Sequence, residues 1–211
     1  MTSPQQPADS SYADRVFRSP AGMAGGGLLL ALIAWMVVDA LVRGEGRTPW
    51  LALAAALLVV PLIVAFSMRP AVFVNEERLR IRNPFRTITL PWGAVADVRA
   101  GYSSELFTTE GTKYQLWAIP VSLRQRKRAA RRQMHSATDD PHGATSVTAD
   151  VTDSQTRMAP ADQTIADLRD MAEHLAPRSS AQGEPQVRWA YEVLAPVAAG
   201  AVLLVLVLAL A

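Results

Sequence analysis

The sequence contains no cysteine and only three histidines, which limits the chemistry that it can carry. Without cysteine there can be no disulfide, no thiolate zinc site and no cysteine nucleophile. His135, His142 and His174 are scattered along the chain without the spacing of metal ligands. The chain also lacks a strong excess of one charge, because 21 lysines and arginines oppose 19 acidic residues. The net charge of +2 indicates no particular partner, so any electrostatic function must be local.

Catalytic patterns are missing as well. The sequence offers no carboxylate pair, no nucleophile beside a base and no phosphate-binding loop. Gly25, Gly26 and Gly27 form a glycine run, but it lacks the lysine and the preceding strand of a P-loop. We therefore expect a protein that is not an enzyme and that uses no cofactor and no metal.

Half of the residues are hydrophobic, and they are concentrated in three long blocks. Residues 21–42, 50–68 and 189–211 are each long enough to cross about 30 Å of hydrocarbon as a helix. For the first block the alternative is a secretory signal peptide, which would have a shorter apolar region and a small-residue cleavage site. The short connection between the first two blocks predicts a helical hairpin. The sequence thus predicts a membrane protein with three transmembrane α-helices.

Small residues are spaced four apart within the hairpin. Gly22 and Gly26 in the first block, and Ala52 and Ala56 in the second, have the spacing that lets helices approach closely in lipid. Asp39 is the one ionisable residue inside the first block and lies one turn from its end, so we expect it at the membrane interface.

After residue 68 the continuous apolar sequence gives way to short alternating segments bounded by turn residues, which predicts β-strands. Leu79 and Ile81 fall on one face of a strand, and Arg80 and Arg82 fall on the other. The predicted strands are 71–75, 79–83, 86–90, 95–99, 105–109 and 113–119. About six strands at this spacing are typical of a small barrel or sandwich.

A helix and two tryptophans complete the predicted core. Residues 160–177 recover helical periodicity, which predicts a helix packed against the strands. Its apolar stripe consists of Ile165, Leu168, Met171, Ala172 and Leu175. Trp92 and Trp117 lie in or beside alternating strands, so we expect both side chains in the core.

The remaining segments are polar and predict little regular structure. Residues 1–20 predict a flexible cytoplasmic tail and residues 134–159 a disordered insertion, because neither has enough apolar surface to offset the entropy of ordering. Residues 178–188 predict a linker to the third apolar block. Between them, residues 69–133 predict a β domain that ends in a basic helix.

The distribution of basic residues predicts the orientation. Of the 21 lysines and arginines, 17 lie between Arg69 and Arg188. The positive-inside rule then puts this domain and the N-terminus in the cytoplasm and the C-terminus on the opposite side. We therefore expect a multi-pass protein of the cell membrane.

A basic strand, the turn Asn83-Pro84-Phe85, a second strand and the pair Pro91-Trp92 follow one another, and an aliphatic strand with Val95 and Val98 comes next. In this order, residues 69–120 resemble the bacterial PH domains typified by low-molecular-weight protein antigen six. The resemblance implies a mostly β, PH-like barrel closed at one end by a C-terminal helix, for which residues 162–176 are the candidate.

The densest charge cluster is the first candidate site. It consists of Arg124, Arg126, Lys127, Arg128, Arg131 and Arg132. Near an anionic leaflet each such charge gains on the order of 1 kcal/mol. A solvated helix end is the alternative, and binding to nucleic acid is a weaker one because no aromatic residues are interleaved with the charges.

The second candidate site is the strand that carries Arg80 and Arg82, with Arg78 beside them and Arg86 across the turn. Eukaryotic PH domains that bind phosphoinositides use a similar basic strand pair. Alternatively, these arginines serve only solubility and topology. We expect any lipid affinity to come from the cluster at residues 124–132, with steep loss in salt and little dependence on the headgroup.

These observations together predict a membrane-anchored binding module with a PH-like domain. We expect it to engage the anionic lipid bilayer or an unidentified protein partner in cell-envelope organisation or signalling, and we expect no nucleic acid as a partner. The alternative is a small accessory subunit of a membrane transport or secretion complex, in which the spans act and the domain is a dock.

Overall fold

The computed structural model describes residues 15–139 and 159–210, and the side chains of 132–139 are not considered. In chain order the elements are β1 (Arg15–Phe17), α1 (Pro20–Arg43), α2 (Thr48–Ile63), a π-helical segment (Val64–Met68), β2 (Ala71–Val74), β3 (Arg78–Arg82), β4 (Arg86–Pro91), a 3-10 turn (Trp92–Ala94), β5 (Val95–Ala100), β6 (Ser104–Thr108), β7 (Lys113–Gln115), α3 (Leu123–Asp139), α4 (Pro160–Leu175), a 3-10 turn (Ser179–Ala181), β8 (Gln186–Trp189) and α5 (Tyr191–Ala209).

Three helices follow the predicted apolar blocks closely. Helix α1, helix α2 with its π-helical continuation, and helix α5 are long and apolar enough to cross a membrane. Helix α2 packs against both α1 and α5. Gly26 of α1 faces Ser67 so closely that a Cβ would collide with its side chain, and Gly200 of α5 faces the backbone of α2 at Leu58. Glycine at these two positions therefore permits the close approach of the helices.

The β domain consists of two antiparallel sheets. One has five strands in the order β1-β2-β3-β4-β8, and the other has three in the order β5-β6-β7. The six predicted strands are all present, although β7 ends at Gln115, well before the predicted end. The 3-10 turn after β4 directs the chain from the first sheet to the second.

The core lies between the two sheets and helix α4. It contains the predicted inward-facing residues Leu79, Ile81, Ile88, Leu90, Val95 and Val98, together with Trp92. Ile165, Leu168 and Ala172 of α4 are buried in the same cluster, and Met171 and Leu175 pack at its edge. Full burial of one such aliphatic side chain stabilises the domain by about 1.5–3 kcal/mol, so the apolar stripe explains why α4 is held on the sheets. The predicted helix and its packing are confirmed.

Two strands lie where the sequence predicted a flexible tail and a linker. Strand β1 pairs with β2 from Arg15↔Val74 to Phe17↔Val72. Strand β8 pairs with β4 from Arg86↔Trp189 to Thr89↔Gln186. Both predictions were wrong at these positions, because the edges of the central strands offer backbone partners that the flanking sequence does not reveal. Residues 1–14 of the predicted tail lie outside the described part of the chain.

Three further expectations need correction. Within the described residues the sheets do not form a closed barrel, because β4 pairs with β8 and not with β5. Trp117 is 43% exposed and not in the core, since it follows the end of β7 and belongs to a turn. Helix α3 extends through residues 134–139, which were predicted to be disordered, and residues 140–158 lie outside the described part.

The apolar helices join the first sheet at one end. Two residues separate β1 from α1, two separate the π-helical segment from β2, and one separates β8 from α5. The antiparallel register places Phe17, Arg82 and Trp189 at this same end. We call it the helix-proximal end of the sheet.

Candidate anion-binding surfaces

The outer face of the five-stranded sheet carries three arginines around one aromatic ring. The guanidinium carbons of Arg80, Arg82 and Arg18 lie 4.6, 5.9 and 5.9 Å from the centroid of Phe73. Phe73 on β2 is the register partner of Arg80 on β3. Arg18 follows β1, which pairs with β2 on its other side. Pairing of three strands therefore brings these cations together, and we call them the Phe73 arginine cluster.

The alternation of β3 explains why the arginines face outward. Leu79 and Ile81 are fully buried in the core, so the intervening side chains project from the opposite face. This confirms the predicted register. Arg18 is the member that the sequence did not reveal, because it lies in the segment predicted to be a flexible tail.

The cluster perturbs the titration of Arg82. Partial burial lowers the pKa of this guanidinium, and the like charges of Arg69, Arg18 and Arg80 lower it further. Glu192 acts in the opposite direction, but its carboxylate also binds Arg69 at 2.9 Å. Three cations and one carboxylate therefore act on Arg82, and that carboxylate is shared with Arg69.

A pocket of about 160 Å³ adjoins the cluster. It is lined by Phe73, Asn75, Arg78, Arg80 and Thr89. The side-chain oxygen of Asn75 accepts hydrogen bonds from the backbone N–H groups of residues 77 and 78, at 3.0 and 2.8 Å. This arrangement closes the β2–β3 turn and fixes the far wall of the pocket.

The second candidate site lies on helix α3. Four of its predicted residues, Arg124, Lys127, Arg128 and Arg131, are exposed. At about 100° per residue their side chains fall within an arc of about 100° on the helix. They form one stripe, which we call the α3 stripe. The side chain of Arg132 lies outside the described part.

Arg126 has a different environment from the α3 stripe. It points away from the stripe, and its guanidinium binds the carboxylate of Asp162 on α4. It also donates to the carbonyl oxygens of Ala100 and Gly101 at 2.8 and 3.0 Å. This predicted site residue therefore attaches α3 to the second sheet and to α4, which positions the stripe.

A buried cation connects the β domain to the helices. The side chain of Arg69 is 6% exposed and donates to Asn83 O at 3.1 Å, to Thr87 Oγ1 at 3.2 Å and to Glu192 at 2.9 Å. The Asn83 side chain in turn donates to the carbonyl of Gln115 on β7 at 2.9 Å. One network thus links the end of α2, both sheets and the start of α5. The sequence showed Arg69 only as one of many basic residues.

Aromatic contacts lie beside this Arg69 network, which we call the joint. The ring of Phe66, at the end of α2, makes edge contacts with Phe85 and Trp117, with centroid distances of 5.3 and 5.4 Å. Trp117 therefore packs on the helices and not inside the β domain.

The structure divides the predicted site residues between two surfaces. Arg80 and Arg82 belong to the Phe73 arginine cluster on the first sheet, whereas the α3 stripe is attached beside the second sheet. Among the described residues, no group of three or more histidines, aspartates and glutamates is arranged to hold a metal ion.

The described residues of the β domain thus form two small antiparallel sheets with a packed C-terminal helix and cationic outer surfaces. Residues 69–179, more than half of the chain, match the bacterial PH domain family, and the chain belongs to it. The match confirms the resemblance and extends it through helix α4. Searches of curated proteins and of solved structures gave no match.

Proposed function

We propose that the chain is a membrane-anchored, non-enzymatic binding module, in which three spans hold a cytoplasmic PH domain against the anionic inner leaflet. The shortness of the connections carries this proposal. Links of one or two residues join the first sheet to all three apolar helices. If the helices cross the bilayer, these links leave the helix-proximal end of the sheet at the level of the headgroups.

The charge distribution supports the cytoplasmic side. The excess of arginine after Met68 favours retention of the domain inside. The described connection between α1 and α2 is short, and two basic residues, Arg43 at the end of α1 and Arg47 just before α2, flank Glu45 there. The far side would therefore carry little positive charge.

The α3 stripe supplies a second contact with the leaflet. Arg126 binds Gly101 in the β5–β6 turn, and this turn lies at the same end of the second sheet as Gln115. Gln115 in turn binds Asn83 at the joint. Four exposed cations near an anionic surface would contribute roughly 4 kcal/mol at about 1 kcal/mol each.

A spin label on α3 tests the contact. The chain contains no cysteine, so Arg128→Cys and Ala130→Cys give unique labelling sites on opposite faces of the helix. In nanodiscs with anionic lipid, we expect a label at 128 to become accessible to oxygen and protected from a water-soluble nickel chelate. A label at 130 should change much less.

Neutral nanodiscs and added salt provide the controls. Protection at 128 should fall when anionic lipid is omitted or when salt is raised, because exposed charges are screened over about 10 Å at 0.1 M. Equal exposure of 128 and 130 under all conditions would contradict contact of the α3 stripe with lipid.

The accessory-subunit alternative depended on polar residues inside the spans. Asp39 lies 3.3 Å from Arg43 at the end of α1. An ion pair at a helix end is the ordinary environment of an interfacial acid, so Asp39 adds no support to that alternative.

A further inference from the structure

Strand β8 forms one outer edge of the five-stranded sheet. It pairs with β4 on one side, and in the described part of the chain no strand pairs with its other side. Its four residues are all exposed. An outer strand of this kind leaves backbone N–H and C=O groups without strand partners, and these groups are a template for another extended chain. We call the unpaired side of this strand the β8 edge.

The hydrogen-bond pattern identifies the residues that present backbone groups at the β8 edge. Asn83 N–H donates to Arg86 O across the β3–β4 turn. Because such groups alternate in an antiparallel pair, the even-numbered residues of β4 bind β3 and the odd-numbered ones face β8. The register partners of these odd-numbered residues are the even-numbered residues of β8. The backbone groups of Val187 and Trp189 therefore point outward from the sheet.

The side chains of β8 alternate between two faces of different character. Val187 is the register partner of the fully buried Ile88, so Val187 and Trp189 lie on the core-facing side of the sheet. These two apolar side chains are 43% and 56% exposed. Arg188 lies on the outer face, and no described carboxylate forms an ion pair with it. A chain laid along the β8 edge would therefore meet an apolar, a cationic and an apolar side chain in succession.

A second copy of the chain does not suit this edge. Strand β8 enters α5 after one residue, so copies anchored in one bilayer present β8 edges that run in the same direction. Parallel strands exchange slanted hydrogen bonds in which the two strands have different roles, so two β8 edges cannot pair about a two-fold axis. The other outer strand of this sheet, β1, consists of an arginine, a valine and a phenylalanine and supplies no carboxylate for Arg188.

We propose that the β8 edge binds an extended segment of a partner protein with the pattern apolar–acidic–apolar. The segment pairs antiparallel with β8, so that its apolar side chains cover Val187 and Trp189 and its carboxylate opposes Arg188. The proposal names the kind of partner for the membrane-anchored module and rests on that proposed function for the exclusion of a second copy. Strand β8 lies outside residues 69–179, so the family match does not include this edge.

Disulfide capture in the full chain tests the pairing. Because the chain has no cysteine, Gln186→Cys introduces a single thiol at a position where an antiparallel guest would come closest. The variant is held in nanodiscs of zwitterionic lipid and mixed with the peptide Val-Glu-Val-Cys-Val, whose thiol is activated as a thiopyridyl disulfide. In the proposed register the peptide cysteine opposes position 186 and the glutamate opposes Arg188.

Release of pyridinethione reports the rate of capture. Each peptide's rate is divided by its rate of exchange with free cysteine, which corrects for intrinsic reactivity. We expect the glutamate peptide to be captured about fivefold faster than Val-Lys-Val-Cys-Val, because an opposite charge across paired strands is favourable and a like charge is not.

Backbone methylation separates strand pairing from apolar attraction. The N–H of the central valine would bind the carbonyl of Val187, so its methylation should slow capture about tenfold through loss of a hydrogen bond and a steric clash. The N–H of the glutamate would point away from β8. Its methylation should leave the rate nearly unchanged, although the two methylated peptides have the same composition.

Charge reversal tests the assigned role of Arg188. Arg188→Glu, combined with Gln186→Cys, should reverse the preference so that the lysine peptide is captured faster. Arg124→Glu, combined with the same cysteine, makes an equal change of charge on the α3 stripe and should keep the preference for the glutamate peptide. Because the first variant gains a new preference, the expected result cannot arise from misfolding.

Four results would overturn the proposal. They are equal capture of the glutamate and lysine peptides, equal effects of the two methylations, an unchanged preference in Arg188→Glu, and disulfide-linked chain dimers that form faster than the peptide adduct. The last result would make a second copy the occupant of the edge. Capture in zwitterionic lipid does not need contact of the α3 stripe with an anionic leaflet, so this test and the spin-label test can fail separately.

Discussion

Trp92 is the residue whose removal should damage the β domain most. Its side chain is 0% exposed in the core, and its indole N–H donates to the carbonyl of Asn75 at 2.8 Å. Trp92→Ala should cost about 3–5 kcal/mol for the lost burial and the cavity. The unsatisfied carbonyl would add roughly 1 kcal/mol. Domains are typically stable by about 5–15 kcal/mol, so the variant should be close to unfolding.

Two variants make this prediction specific. Trp92→Phe keeps most of the ring but removes the N–H donor, and we expect it to cost about 1–2 kcal/mol. Trp117→Ala removes a residue of the same type that is 43% exposed and makes an edge contact with Phe66. We expect it to cost only about 0.5–1.5 kcal/mol, the usual value of such a contact.

Pulse proteolysis in urea, applied to the full chain in detergent micelles, measures the effect on the domain. With a urea dependence of about 1–3 kcal/mol/M, Trp92→Ala should lower the midpoint by about 2 M. Trp117→Ala should lower it by less than about 1 M. Equal shifts for the two tryptophans would refute the assignment of one to the core and the other to the joint.

Three other predictions follow from the joint, the orientation and an acidic side chain. Arg69→Met should destabilise the domain by about 2 kcal/mol in the same urea assay, because a buried carbonyl loses its donor, and no shift would contradict the joint. In intact cells, Tyr102→Cys should resist a membrane-impermeant thiol reagent while Glu45→Cys reacts, and the reverse pattern would invert the topology. The pKa of Asp97 is lowered chiefly by a hydrogen bond from Arg99. Its contribution to stability is therefore present above its unfolded pKa of about 3.9 and is lost as pH falls through the lower folded pKa, so Asp97→Asn should flatten the acid side of the stability profile.

The strands of the domain were predictable because their burial has period two. Leu79 and Ile81, or Ile88 and Leu90, alternate with outward polar residues, and only one register buries both members of each pair. Helix α4 was predictable for the same reason, because its apolar residues repeat at helical spacing. In both cases the pattern depends on one buried face.

Strands β1 and β8 were not predictable because they have no buried face of that kind. The residues of β8 are all exposed, and β1 consists of Arg15, Val16 and Phe17 with only Phe17 packed against the core. Their backbone groups are ordered by the edges of β2 and β4, which are distant in sequence. Propensity and periodicity report local preferences, so they do not detect a strand that exists because of its partner.

The sequence predicted which charged residues belong to the candidate sites but not how these residues are arranged in space. The sequence identified Arg80 and Arg82 from their alternation, yet their convergence on Phe73 depends on the pairing of β2 with β3. Arg18 could not be added without strand β1. Arg126 was grouped with its neighbours by proximity in sequence, whereas its contact with Asp162 depends on the folded position of α4.

The joint at Arg69 attaches the apolar helices to the β domain. Its buried guanidinium binds the β3–β4 turn and the first turn of α5, so a movement of α5 against the sheet would separate a desolvated cation from its partners. Loss of a partner from a buried charge is costly, and the joint therefore resists such movement. The Phe73 arginine cluster lies beside the joint, since the charge of Arg69 lowers the pKa of Arg82. The position of the cluster relative to the apolar helices is therefore set by the fold.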